Sequence, residues 1–176
     1  MRRVALVAAI CAASSLAQAS PLPPPISPAS QGKLQCYEPK VHEKTCQSLE
    51  AYAVTPNGTI RNPATVLIST NPAITMTTVV DVQIKADQVC GVIRPQDIEA
   101  AEFTVNGGRA TAAQAAKLRE AMIASEKNLF GHEICTAYAP DGDAFIAKTA
   151  IDGVPQPKQD EKVIWVSPSD DYRVQP

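Results

Sequence analysis

Apolar and polar positions alternate in steps of two over much of the chain. Val80, Val82 and Ile84 interleave with Asp81, Gln83 and Lys85. A period of two sends successive side chains to opposite faces of a strand, one face buried and one wet. The same reading predicts strands over residues 65–69, 74–85 and 89–93, with a turn at Ala86-Asp87-Gln88 between the last two. Residues 49–54 and 59–69 flank Pro56-Asn57-Gly58, and Asn-Gly between β-branched stretches predicts a hairpin, because both residues accept positive φ. Residues 133–139 and 144–151 flank Pro140-Asp141-Gly142-Asp143, a second hairpin with turn chemistry at its tip. A short helical turn is expected over 96–101 and a short strand at Phe103-Thr104-Val105, stopped by Asn106-Gly107-Gly108. Val163-Ile164-Trp165-Val166 reads as a buried strand, with Trp165 in the core.

One segment changes period. Over residues 111–130, Ala115, Leu118, Met122, Ile123, Leu129 and Phe130 recur at helical spacing, while Lys117, Arg119, Glu120, Glu126 and Lys127 take the other face. Thr111 caps this helix with Gln114 at the capping-box position, and Gly131 ends it. Mixed charge on the polar face argues for packing on a sheet rather than on a membrane surface. The expected fold class is α+β: an antiparallel β-meander or partly open barrel, one main helix packed on it, and two disulfides.

The N-terminus is of a different kind. Arg2 and Arg3 precede an apolar run of about ten residues, and Ala17-Gln18-Ala19 precedes Ser20. This predicts a signal peptide over residues 1–19, cleaved between Ala19 and Ser20. The run is far shorter than the ~20 residues of a membrane-spanning helix. Two arginines beside the initiator Met form an ordinary n-region rather than a twin-arginine signal. Cys11 lacks the small preceding residue of a lipoprotein site, because Ile10 stands there. Residues 20–35 hold Pro21, Pro23, Pro24, Pro25 and Pro28, and read as a polyproline-like spacer. A single domain follows over 36–168, with a polar tail over 169–176. No later stretch is long and apolar enough to span a membrane as a helix.

Composition adds the compartment. Five cysteines fall to four once Cys11 leaves with the signal. An even number in an exported chain predicts two disulfides. Three connectivities are open, and Cys36–Cys46 with Cys90–Cys135 is the expected one, the second joining strands on either side of the helix. The spacings are long and His42 and His132 are the sole histidines, which does not suit a zinc site. The formal charge is −2, and losing Arg2 and Arg3 leaves 14 basic against 18 acidic residues. That mild acidity provides no footprint for nucleic acid.

No nucleophile elbow, zincin motif or phosphate loop occurs, and Gly107-Gly108 lacks a third glycine in a strand–turn–helix setting. Asp141 and Asp143 form the most suggestive acidic pair, with His132 as a weak third member of a loop or metal site. A calcium loop needs more ligands than this turn offers, so no cofactor or metal is expected. Asn57-Gly58-Thr59 is a glycosylation sequon that matters only in a eukaryotic route, and the Ala-rich signal looks bacterial. Three readings follow. The first is a small exported, disulfide-stabilised binding or structural protein of the bacterial envelope, periplasmic or extracellular, with an envelope protein as partner. The second is an envelope hydrolase or metal-dependent enzyme using Asp141, Asp143 or His132. The third is an inhibitor of an exported hydrolase, presenting a preorganised loop.

Overall fold

The computed structural model describes residues 21–176. The expected signal segment, with its expected cleavage point between Ala19 and Ser20, and Cys11 lie outside the described residues. In chain order, β1 (Leu34–Tyr37), β2 (Thr45–Cys46), β3 (Ser48–Glu50), β4 (Ala53–Val54), β5 (Ile60–Thr70), β6 (Ala73–Lys85) and β7 (Gln88–Val92) precede α1 (Pro95–Glu99). Next come β8 (Glu102–Val105), β9 (Gly108–Arg109) and α2 (Ala112–Glu126). The order ends with β10 (Glu133–Asp141), β11 (Ala144–Ile151), β12 (Val154–Pro155), β13 (Glu161–Val166) and β14 (Arg173–Val174).

Eight of these strands close a barrel: β1, β3, β5, β6, β7, β10, β11 and β13. Each pairs antiparallel with the next, and β13 returns to β1. The barrel is more closed than a partly open one, and β1 is the reason. Gln35 lies opposite Glu50 of β3 on one side and Trp165 of β13 on the other, so neither edge is left free. Alternation then sorts the side chains. Gln35, Tyr37, Glu50, Ala64, Thr78, Tyr138 and Val163 share the lumen phase across successive ladders. Cys36 points outward, where Cys46 and Val166 bury it.

Both expected disulfides are present, Cys36–Cys46 and Cys90–Cys135. Cys90 and Cys135 face each other across β7 and β10, the strands that flank the helical insert. The long strand β6 makes that insert possible. Its residues 82–85 pair with β7, while residues 74–77 pair with β8. The helix α2 is capped as expected, Thr111 Oγ1 accepting from the Gln114 N–H and Gln114 Oε1 from the Thr111 N–H. It ends at Glu126 rather than Phe130, and none of its residues is fully buried. Ala115, Leu118 and Met122 pack on Met76, Ala101 and Phe103. Arg119, expected on the polar face, lies on this one: its guanidinium sits 5.8 Å from the Phe103 ring centroid and donates to Ala101 O at 2.9 Å.

The expected proline-rich spacer packs instead of standing clear. Ile26 is 0% exposed and Leu22 6%, and both contact a cluster of Tyr52, Val82 and Val89 at one barrel end. A 3-10 turn over Ser27–Gln31 shapes the segment, and the Leu22 N–H donates to Ser30 Oγ at 2.6 Å. The physical cause is the barrel end itself. Ile60, Ile84 and Trp165 stand there beside the same cluster and need cover from water. Prolines that disfavour strand or long helix still allow a compact plug. The expected polar tail is tied down too: Arg173 and Val174 pair in parallel with Thr45 and Cys46, and Tyr172 packs on the first disulfide.

Two outcomes are expected from this packing. Ile26→Ala lowers the unfolding free energy by about 2–5 kcal/mol, the usual cost of removing a buried aliphatic side chain. Chemical denaturation checks it, and an unchanged midpoint means the segment is dispensable. On the chain-entropy account, replacing Cys90 and Cys135 by Ala costs about 4 kcal/mol, against about 3 for the shorter Cys36–Cys46 loop. Paired melts of the two double variants test that order.

Candidate functional site in the barrel lumen

The residues singled out by sequence fall in three places. Cys36, Cys46, Cys90 and Cys135 are consumed in disulfides. Asp141 and Asp143 sit at the tip of the β10–β11 hairpin, where Asp141 pairs with Ala144. His132 lies at the other end of the same hairpin, its Nδ1 2.5 Å from Asp152 Oδ2. The length of β10 therefore separates His132 from the two aspartates. Asp152 also accepts from the Glu133 N–H at 2.9 Å, and these bonds hold its carboxyl below the usual range. The pair His132–Asp152 reads as a strand-end clasp, and Asp141 is 3.8 Å from Lys162 Nζ, a surface ion pair.

The chemistry that the fold does assemble is inside the barrel. A cavity of about 300 Å³ occupies the lumen, within the range of small-ligand sites. An eight-stranded barrel is just wide enough to be filled by side chains or to hold one small ligand. Here the filling is incomplete because Ala64, Gly91 and Thr136 present little bulk on strands β5, β7 and β10. A Cβ on Gly91 would stand 3.2 Å from Val82 Cγ1, so the wall there is drawn in as far as backbone allows. Val66, Met76, Val80 and Ile134 give the cavity an apolar side.

Its other side is polar. Tyr37, Tyr52 and Tyr138 come from three separate parts of the chain and converge on Gln35. Gln35 Oε1 accepts from Tyr52 Oη–H at 2.8 Å and from Tyr138 Oη–H at 3.2 Å. The Tyr37 and Tyr138 hydroxyls are 2.7 Å apart. With Tyr37 donating to Tyr138, all three phenolic protons point into this layer, and oxygen lone pairs are left for the lumen. Gln35 is 1% exposed, yet its Nε2 has no hydrogen-bond partner. An unpartnered buried amide costs about 1–3 kcal/mol. The fold by itself leaves that donor unsatisfied.

Glu50 sits beside this layer. Asn62 Nδ2 donates to Glu50 Oε2 at 3.3 Å and to Ala51 O at 2.9 Å, and the Tyr52 hydroxyl is 3.4 Å from Glu50 Oε2. Burial pushes the Glu50 carboxyl up to about 7; Asn62 and Tyr52 pull against this, and the charge of Glu161 adds to it. Glu161 lines the same cavity and is itself raised, by burial and then by Glu38. Burial, then the neighbouring Glu50 charge, lifts Tyr138 to about 12. Tyr37 and Tyr52 are raised for the same two reasons. Among the cavity-lining residues the charged ones are Glu50 and Glu161, and none is Lys, Arg or His. A larger hollow of about 590 Å³ lies near Gly58, Lys85 and Glu133, where Lys85 and Glu133 pair with each other at the surface.

These residues escaped the sequence reading. The available signal was phase: Gln35, Glu50, Asn62 and Tyr138 each occupy the inward phase of a strand, where a packed core would carry aliphatic side chains.

A raised carboxyl makes stability fall with pH. Between about 4.5 and 7 the native state holds the Glu50 proton more tightly than the unfolded chain, so unfolding free energy declines as pH rises through that window. Relative to Glu50→Gln, the native protein is expected to lose about 1–3 kcal/mol from pH ~5 to ~8. Urea midpoints at both pH values for the two proteins check this, with parallel curves as the contrary result.

No protein-family model matches this chain, and neither the comparison with curated proteins nor that with solved structures finds a match.

Proposed function

We propose that the lumen is a ligand site and that the protein is an exported small-molecule-binding protein of the bacterial envelope. The observation that carries this reading is the hollow barrel centre: about 300 Å³ with an apolar wall facing a converged polar layer. Small-molecule sites combine those two surfaces, apolar area for affinity and a few fixed polar groups for orientation. Glu50 supports it, a lining carboxyl that no basic side chain among the lining residues neutralises. Export is supported by the signal-like N-terminal pattern and by two disulfides, which persist in oxidising compartments. Among the described residues no helix is long and apolar enough to cross a membrane.

A second reading has one observation behind it. A carboxyl near 7, enclosed beside tyrosine hydroxyls, is matched to general acid–base work at neutral pH. On that reading Glu50 moves the proton and Tyr52 orients the substrate. His132, Asp141 and Asp143, the residues of the hydrolase reading, share no site with them.

The test narrows the lumen without touching its polar layer. Ala64 is 9% exposed and lies opposite Glu50 and Thr78. Ala64→Leu fills part of the cavity. Saturation-transfer NMR against a panel of small aromatic and alkyl compounds is expected to find binders for the native protein. Their affinity is expected to fall by about tenfold or more in Ala64→Leu, with cooperative melting retained. Equal binding by both proteins would place the ligands elsewhere and end the lumen reading.

A further inference from the structure

The lumen's chemistry is lopsided, and the imbalance specifies a ligand class. Resting on the reading of the lumen as a ligand site, we propose that its ligand is a small organic cation. An ammonium head sits at Glu50 and Glu161 against Tyr37, Tyr52 and Tyr138, and an alkyl or aryl body lies on the Val66, Met76 and Ile134 wall.

Three independent features favour this class. The first is charge. Two carboxylates line the cavity with no basic side chain among the lining residues. A buried carboxylate without a counter-charge is costly, and an entering cation removes that cost. An anion would meet the same two carboxylates and be repelled.

Hydrogen-bond direction is the second. The tyrosine protons are committed to Gln35 Oε1 and to one another, at 2.7, 2.8 and 3.2 Å. What this layer offers the lumen is phenolic lone pairs, beside the Glu50 carboxylate. Those are acceptors, and an ammonium group is a donor only. Gln35 keeps a free Nε2–H, but Gln35 is not among the cavity-lining residues, and the Asn62 amide that does line the cavity already donates to Glu50 Oε2 and Ala51 O.

The third is the aromatic surface. Three of the chain's four tyrosines stand around one end of the cavity. Phenol rings attract a desolvated cation through their quadrupole, and do so most strongly away from water. The apolar side of the cavity then sets the size, since about 300 Å³ admits a compact body rather than a long chain.

The site also predicts a proton count. Glu50 is held largely protonated below about 7 in the empty cavity. The groups facing it are Glu161, Tyr37, Tyr52, Tyr138 and Asn62, with Glu38 beside Glu161 at the rim. Binding a cation stabilises the ionised carboxylate, so a proton leaves as the ligand enters. Affinity therefore rises with pH from about 6 to 8 while the amine stays protonated.

The experiment uses the whole mature chain with its disulfides intact and three matched sets of probes. These are phenethylamine and hexylamine; phenethyl alcohol and hexanol; and phenylacetate and hexanoate. Isothermal titration at pH ~7.5 is expected to give amines about tenfold or more tighter than alcohols, with carboxylates weakest. In Glu50→Gln the amine-to-alcohol preference is expected to shrink by about tenfold, and the rise of affinity with pH to flatten. Asn62 can still donate to the Gln oxygen, and a cooperative melt confirms that the variant is folded. Alcohols or carboxylates binding as tightly as amines, and losing affinity in Ala64→Leu, would overturn cation selection while keeping the lumen as a site. An amine preference unchanged in Glu50→Gln would overturn the assignment of the head group to Glu50. If none of the probes binds, the cation proposal falls; if the wider panel is also silent, the lumen reading falls with it.

Discussion

Closure of the barrel through β1 is the constraint on which the other features depend. Four residues, Leu34–Tyr37, bond to β3 on one side and to β13 on the other. Alternation then sends one face of this strand into the lumen and the other outward. Its inner face therefore carries Gln35 and Tyr37 into the lumen, and its outer face drives Cys36 against Cys46 and Val166. The disulfide, the polar layer and the closed ladder all meet on one short strand. Removing the closure would leave Glu50 and Trp165 at open edges, and the cavity would lose its wall.

Such a short strand is hard to read from its residues. Leu-Gln-Cys-Tyr lacks the apolar alternation that exposes β6, because its inward residues are amphipathic and its outward cysteine is apolar. The long ladders were legible for the opposite reason: Val80, Val82 and Ile84 face in and Asp81, Gln83 and Lys85 face out, so pattern and environment agree. Turn chemistry carried through as well, at Gly58, Asp87 and Gly142, where φ is positive. Cys90–Cys135 belongs to the expected one of the three open connectivities, and the strands that carry it, on either side of the helical insert, are neighbours. What could not be read was the burial of the segment around Ile26. Proline content speaks to backbone preference, whereas burial there is dictated by an uncovered barrel end that exists only in three dimensions.

The plug and the polar layer are parts of one arrangement. The cluster that Ile26 covers includes Tyr52, and Tyr138 and Trp165 pack on it. Those tyrosines turn their rings to the plug side and their hydroxyls to Gln35. The plug excludes water from beneath the layer, which strengthens every polar interaction inside it and raises the cost of the carboxyl beside it. The proline-rich segment thus acts on the chemistry of the lumen although it donates no hydrogen bond to it.

A barrel selected for stability alone would not be built this way. Aliphatic residues at the positions of Glu50, Glu161 and Gln35 would fill the lumen and remove both the raised carboxyls and the unpartnered amide. Eight-stranded barrels close well on such cores, so geometry does not demand the polar layer. The chain also supplies compensation nearby: two disulfides, a plug at one end and a paired C-terminal strand. Reinforcement around the barrel and local strain within it occupy different residues, an arrangement that fits a scaffold holding a costly site open. The same separation explains why the surface motifs, Asp141-Gly142-Asp143 and His132, turned out to be turn and clasp. They lie where the fold is being held together, and the unsatisfied chemistry lies where it is being held apart.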